Sequence, residues 1–187
     1  MSKIEWTGKT WNPFAGCSLE SPGCTHCYAM QMARRIEAMG GPPHYAGLTK
    51  VVNGKAVWTG KVAVASERVL RLPSTIRKPE TWFVNSMSDL FHPDVPAAWI
   101  DRVFEEMGGC PQHTFQVLTK RSGRMREYMN SVRAREAWNR RRLDREAWPP
   151  RNVWLGVSAE RQKEADARIP DLLATPAAVR FVSSEPL

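Results

Sequence analysis

Residues 81–121 read TWFVNSMSDLFHPDVPAAWIDRVFEEMGGCPQHTFQVLTKR, and this stretch decides the fold. Thr81–Ser86 is a short apolar run of the kind a strand buried on both faces carries. Pro96 stands where a helix opens, since its missing N–H is not needed in the first turn. Trp99, Ile100, Val103, Phe104 and Met107 then recur at helical spacing, and Gly108-Gly109 ends the pattern. Thr114–Leu118 is a second apolar strand. Strand, helix and strand in this order predict parallel pairing through a right-handed crossover.

The same alternation continues outward. Toward the C-terminus, Ser122 is predicted to cap a helix that turns Met125, Tyr128, Met129 and Val132 inward. Val153–Val157 is the next strand. A helix over Glu160–Arg168 follows, then a second short helix opening at Pro170, then a last strand over Val179–Ser183. Toward the N-terminus, Trp11–Ala15 is a strand leading into a cysteine-bearing loop. A helix begins at Cys27 with Ala29, Met32, Ala33, Ile36 and Met39 on one face, and Gly40-Gly41-Pro42-Pro43 stops it. Residues 48–65 form a small β-hairpin insertion, because Asn53-Gly54 tolerates the positive φ of a primed turn. The expected fold is α/β, with about five parallel strands in one domain over residues 1–187. Pattern alone leaves an open doubly wound sheet and a partial β/α barrel both standing.

Composition bounds the function. The 187 residues carry a formal charge of +8, and 42% are hydrophobic. No apolar run is long enough for a bilayer, and residues 1–12 lack a secretion signal, so a cytoplasmic protein is expected. Between Lys120 and Arg151 eleven Lys or Arg stand against four acids. Within that tract Arg140, Arg141 and Arg142 lie near Trp138 and Trp148. Such a tract either contacts nucleic acid, by phosphate pairing and base stacking, or is a solvated helix face with its tryptophans packed inward.

Chemistry in β/α folds collects beyond the carboxyl ends of the strands. Those ends hold Cys17, Cys24 and Cys27; then Asn85, Ser86, Ser88 and Asp89; then Thr119, Lys120 and Arg121; then Ser158 and Glu160; then Ser183, Ser184 and Glu185. The cysteines are spaced Cys17-x6-Cys24-x2-Cys27. Three clustered thiols in a chain with four cysteines point to metal rather than to a disulfide framework. A closed zinc site wants four ligands. His26 is wedged between two of the thiols, His44 is a distant alternative, and Cys110 precedes the third strand. Three cysteines without a clear fourth ligand suit an iron–sulfur cluster with one open iron better.

The strings TWNPFAGCSLESPGCTHCYA (10–29), FVNSMSDLFH (83–92), VLTKR (117–121), NVWLGVSAE (152–160) and RFVSSEPL (180–187) resemble the phage-encoded three-cysteine-motif family. That family is considered similar to radical S-adenosylmethionine proteins. The resemblance implies a partial β/α barrel, truncated at its C-terminus because family members usually continue past the final EPL. It implies a 4Fe-4S cluster on Cys17, Cys24 and Cys27 with S-adenosylmethionine on the open iron, although the first gap here is six residues rather than three. His26 takes the place of a ring residue near the cofactor's adenine. Asn85, Ser86 and Asp89 are the candidates to grip its methionine part, with Ser88 and Ser158 as further cofactor-binding candidates. Lys120 and Arg121 are placed for a carboxylate or phosphate of cofactor or substrate, and Asp89, Glu160 and Glu185 for ribose hydroxyls or the substrate. The implied partners are a nucleotide or nucleic-acid substrate and a companion protein. The rival reading is a non-enzymatic phage protein that binds nucleic acid or a host protein and holds structural zinc.

Overall fold

The computed structural model describes residues 8–142 and 148–184. Its elements, in chain order, are β1 (Lys9–Trp11), β2 (Phe14–Ala15), α1 (Tyr28–Ala38), β3 (Thr49–Val52), β4 (Lys55–Trp58), β5 (Ala63–Val64), α2 (Glu67–Leu70), β6 (Thr81–Val84), α3 (Ala97–Gly108), β7 (Thr114–Thr119), α4 (Ser122–Asn130), α5 (Val132–Asn139), β8 (Val153–Ala159), α6 (Gln162–Leu173) and β9 (Val179–Ser184).

Five strands form one sheet in the order β1-β6-β7-β8-β9, and every pair is parallel. The order follows the chain without the reversal that a doubly wound sheet requires. Trp82, Phe115 and Val153 stand in register, as do Val84, Val117 and Leu155. These rows, with Val157, are buried beneath Ile100, Val103, Phe104 and Met107 of α3, Met125 and Met129 of α4 and Leu172 of α6. Each fully buried side chain of this kind contributes about 1.5–3 kcal/mol of transfer free energy. Alternation sends Phe83, Gln116, Gly156 and Phe181 to the opposite face. There a Cβ on Gly156 would come within 2.5 Å of the Phe181 ring, so only glycine lets that ring lie across β8.

A second, smaller core holds Ala29, Met30 and Ala33 of α1 against Leu48, Ala56, Trp58 and Met87. The insertion is the expected hairpin: β3 pairs antiparallel with β4, with Asn53 and Gly54 at φ 48° and 74°.

Several expectations need correction. The strand expected over Trp11–Ala15 is two, because its second half leaves the main sheet and pairs antiparallel with β5. On α1, Met32 and Met39 are exposed and Met30 is buried instead, since only the side facing the hairpin is covered. Ser122 makes no capping bond; its hydroxyl donates to Asp171 at 2.7 Å. Val132 is exposed, because Ser131 is extended and its side chain caps a new helix at Ala134, which resets the helical phase. Pro170 lies inside α6 rather than opening a separate helix. Trp138 is buried and Trp148 packs against the same main core. Among the described residues no helix is long and apolar enough to cross a membrane.

Gly16 joins the small β2–β5 ribbon to the cysteine loop. Its φ is +95°, and a Cβ there would stand 2.1 Å from the Lys61 carbonyl oxygen. Gly16→Ala is therefore strained in both backbone and contact. Urea denaturation is expected to show a loss of about 1–3 kcal/mol.

Candidate functional site

The loop between β2 and α1 carries the three clustered cysteines. Its middle is a 3-10 turn, Pro22–His26, and Cys27 is the N-cap of α1. The thiol of Cys27 thus sits at the positive end of a helix. Gly23 packs against Glu160, with an added Cβ falling 3.1 Å from that side chain. The loop is in this way laid over the carboxyl edge of the sheet, where β6, β7 and β8 end.

Two carboxylates, Asp89 and Glu160, and their cationic partners hold it there. Asp89, just beyond β6, accepts at Oδ1 from the Phe91 backbone N–H (2.9 Å) and the Thr119 hydroxyl (2.7 Å). At Oδ2 it accepts from the Lys120 N–H (3.2 Å) and from Arg121 Nη1 (2.9 Å). Arg121 Nη2 donates to the carbonyl and the hydroxyl oxygen of Ser18, at 3.2 and 2.9 Å, and Nη1 lies 3.7 Å from Cys17 Sγ. The Arg121 and Asp89 side chains are 6% and 8% exposed, so each needs charge compensation; Asp89 finds it in Arg121, and Arg121 in Asp89 and in Glu20 of the cysteine loop, whose Oε2 lies 3.5 Å from Nε. Beyond them, the Asp94 N–H donates to His92 Nδ1 at 3.2 Å. The neutral ring therefore carries its proton on Nε2, 2.7 Å from Ser18 Oγ. Burial and the Arg121 charge both hold the His92 pKa below its ordinary value.

Glu160 forms the second anchor. Its Oε2 lies 3.3 Å from Lys120 Nζ and 2.8 Å from Arg168 Nη1. Burial opposes its ionisation, but the Ser21 hydroxyl, Lys120 and Arg168 outweigh that and bring its pKa down to about 2.

Beneath the loop lies a pocket of about 280 Å³. Cys17, Cys24 and Cys27 all line it, together with Asn85, Ser86, Ser88, Asp89, Lys120, Arg121 and Ser158. Tyr28, Trp58, Phe83 and Leu118 supply its apolar wall. His26 does not join them; it is exposed on the 3-10 turn. Glu160 stands behind Lys120, and Glu185 lies outside the described residues. Arg140 pairs with Asp101 and Glu105, Arg141 with Glu106, and Arg142 lies over the Trp138 ring. Cys110 is buried between α3 and β7, at the opposite edge of the sheet. The strand-end rule did not single out Ser18, His92 or Asn12. The Asn12 Oδ1 accepts from Ser86 Oγ and the Met87 N–H, both at 3.1 Å. The Asn-Pro step after β1 was the available signal for it.

The donor set suits a thiophilic metal. Burial, reinforced by Asp89, pushes the Cys17 thiol up to about 12, against the pull of Arg121, and burial also raises Cys27. A bound cation is what would hold such thiols as thiolates near neutral pH. Among the described residues no three His, Cys, Asp or Glu side chains are already drawn together as metal ligands, so the thiols share a pocket without forming a closed site. Two further buried polar groups of the pocket, the Asn85 carboxamide and the Ser88 hydroxyl, have no hydrogen-bond partner. Thiols and unmatched polar groups facing one space fit a metal centre with a bound organic ligand.

The chain belongs to the family described as a protein of unknown function, DUF5131, which it matches over residues 1–187. No curated protein and no solved structure matches it.

Two outcomes test the anchoring. Asp89→Ala removes the buried partner of Arg121 and leaves it only the more exposed Glu20, 3.5 Å away, so chemical denaturation is expected to show a loss at the lower end of about 3–5 kcal/mol. Glu160 has its pKa depressed by folding. Its contribution is therefore full above the ordinary value of 4.5 and is lost as pH falls toward about 2. The stabilities of the protein and of Glu160→Gln should differ at neutral pH and converge across that window.

Proposed function

We propose that this chain is an iron–sulfur protein of the radical S-adenosylmethionine type, built on an arc of a β/α barrel. The observation that carries the reading is that Cys17, Cys24 and Cys27, from one loop, line a single pocket at the carboxyl edge of a parallel sheet. The barrel reading is supported by the strand order, which advances with the chain and never reverses.

In this reading the three thiolates hold a four-iron cluster. When bound, that cluster with S-adenosylmethionine supplies reductive cleavage of the sulfonium to a 5′-deoxyadenosyl radical. The chain's own residues orient, screen and balance charge. Arg121 points a cationic N–H at the Cys17 sulfur and fixes the loop through Ser18. The α1 N-terminus favours negative charge on Cys27. Lys120, held by Glu160, brings positive charge to the pocket, where it suits a carboxylate or phosphate. Trp58, Phe83 and Leu118 make the apolar side, with the half-exposed Tyr28 at its rim.

The arginine triplet gives less support to the zinc-and-nucleic-acid reading, because Arg140 and Arg141 are matched to carboxylates on α3.

Anaerobic reconstitution with iron and sulfide tests the proposal. The expected product holds iron and sulfide in near-equal amounts and releases 5′-deoxyadenosine when S-adenosylmethionine and a reductant are added. Cys17→Ser, Cys24→Ser and Cys27→Ser should each lose that iron, whereas Cys110→Ser keeps it. Stoichiometric zinc that survives purification and blocks reconstitution would reverse the reading.

A further inference from the structure

Asn85 stands immediately after β6 with φ +60°, a left-handed conformation that an asparagine adopts more readily than most residues. Its backbone N–H is matched to the Trp11 carbonyl at 2.8 Å. Its side chain is not matched. The residue is 3% exposed, it lines the cysteine pocket, and neither Nδ2 nor Oδ1 has a partner among the described residues. A buried carboxamide left this way costs several kcal/mol in principle, and native structures rarely keep one. Ser88, three residues on, lines the same pocket with its hydroxyl buried and also unmatched.

The remaining groups define what would match them. The charges in this pocket are already engaged: Asp89 with Arg121, and Lys120 with Glu160. Apart from Arg121 Nε, which makes no hydrogen bond but lies 3.5 Å from Glu20 Oε2, the unmet demand is neutral: one donor and one acceptor side by side in a plane, with a hydroxyl nearby. The walls around it include the rings of Tyr28, Trp58 and Phe83, which suit a flat ligand. At about 280 Å³ the space is at the small end of small-molecule sites. A nucleobase is a planar heteroaromatic ring with adjacent donor and acceptor atoms, and asparagine meets such an edge in a bidentate pair.

We infer that Asn85 is the base-reading residue of this pocket, and that its ligand is a nucleobase carried by a nucleoside or nucleotide. The inference deepens the function proposed above by naming a ligand class. It needs no metal, so the two stand or fall separately. The shared chemistry has two sources, the adenine of a cofactor and the base of a substrate. Binding order separates them.

Metal-free protein is titrated with adenosine, cytidine, guanosine and uridine by calorimetry, then again with S-adenosylmethionine present. At least one nucleoside is expected to bind. Asn85→Gly, which keeps the positive φ, should weaken it about tenfold or more. Asn85→Asp, ionised at pH 8, presents acceptors only. It should move preference toward guanosine, whose N1–H and N2 amino group form a two-donor edge. Competition by S-adenosylmethionine marks cofactor adenine as the ligand; simultaneous binding marks a substrate base. Absence of nucleoside binding in a folded sample overturns the inference. So does equal affinity in Asn85→Gly, or an unchanged base preference in Asn85→Asp.

Discussion

The buried Asp89–Arg121 pair is the constraint on which the site depends. One carboxylate and one guanidinium, almost removed from water, require opposite charge beside them and most of their other hydrogen-bonding positions filled; Arg121 Nε is left with the Glu20 carboxylate at 3.5 Å. Filling them recruits the Phe91 and Lys120 N–H groups, the Thr119 hydroxyl and both oxygens of Ser18. Those groups come from the segment after β6, the end of β7 and the cysteine loop. A pair that would add little on the surface here fixes three chain segments relative to one another. It also places a cation 3.7 Å from the Cys17 sulfur, where local charge bears directly on thiol chemistry.

The sheet explains why these segments meet. Parallel strands in sequential order bring every βα turn to the same edge, and each turn contributes a polar residue there. The face toward α3, α4 and α6 is almost wholly apolar. The other face, with Gln116, Asn85 and Ser158 among Phe83 and Phe181, is mixed. This asymmetry separates the part of the molecule that supplies stability from the part that faces a ligand.

Much of this was legible in the sequence, for physical reasons. Buried parallel strands are short continuous apolar runs, and α3 carries a full apolar stripe between Pro96 and Gly109, so β6, α3 and β7 stood out. The hairpin followed from Asn53-Gly54. The rule that strand ends carry chemistry found most of the residues around the pocket. What was hidden depends on partners far away in the chain. Ser122 looks like a cap until Asp171 is beside it. Arg140 and Arg141 look free until α3 presents Glu105 and Glu106. Ser18 and His92 became meaningful only when Arg121 and Asp94 fixed their hydrogen bonds. Met30 and Met32 are indistinguishable by composition, and only the position of the hairpin decides which is covered.

The two separate apolar cores have a consequence for traffic through the site. The wall formed by Cys27 and Trp58 rests on the smaller core under α1 and the β3–β4 hairpin, while the facing residues Phe83, Leu118 and Ser158 stand on strands whose other face packs into the large core. Local opening free energy scales with the apolar contacts that must be released. The cheapest way to widen this pocket is therefore a breathing of α1 and its hairpin away from a sheet that stays intact. The width of the mouth is set by a peripheral unit, while the floor keeps its shape.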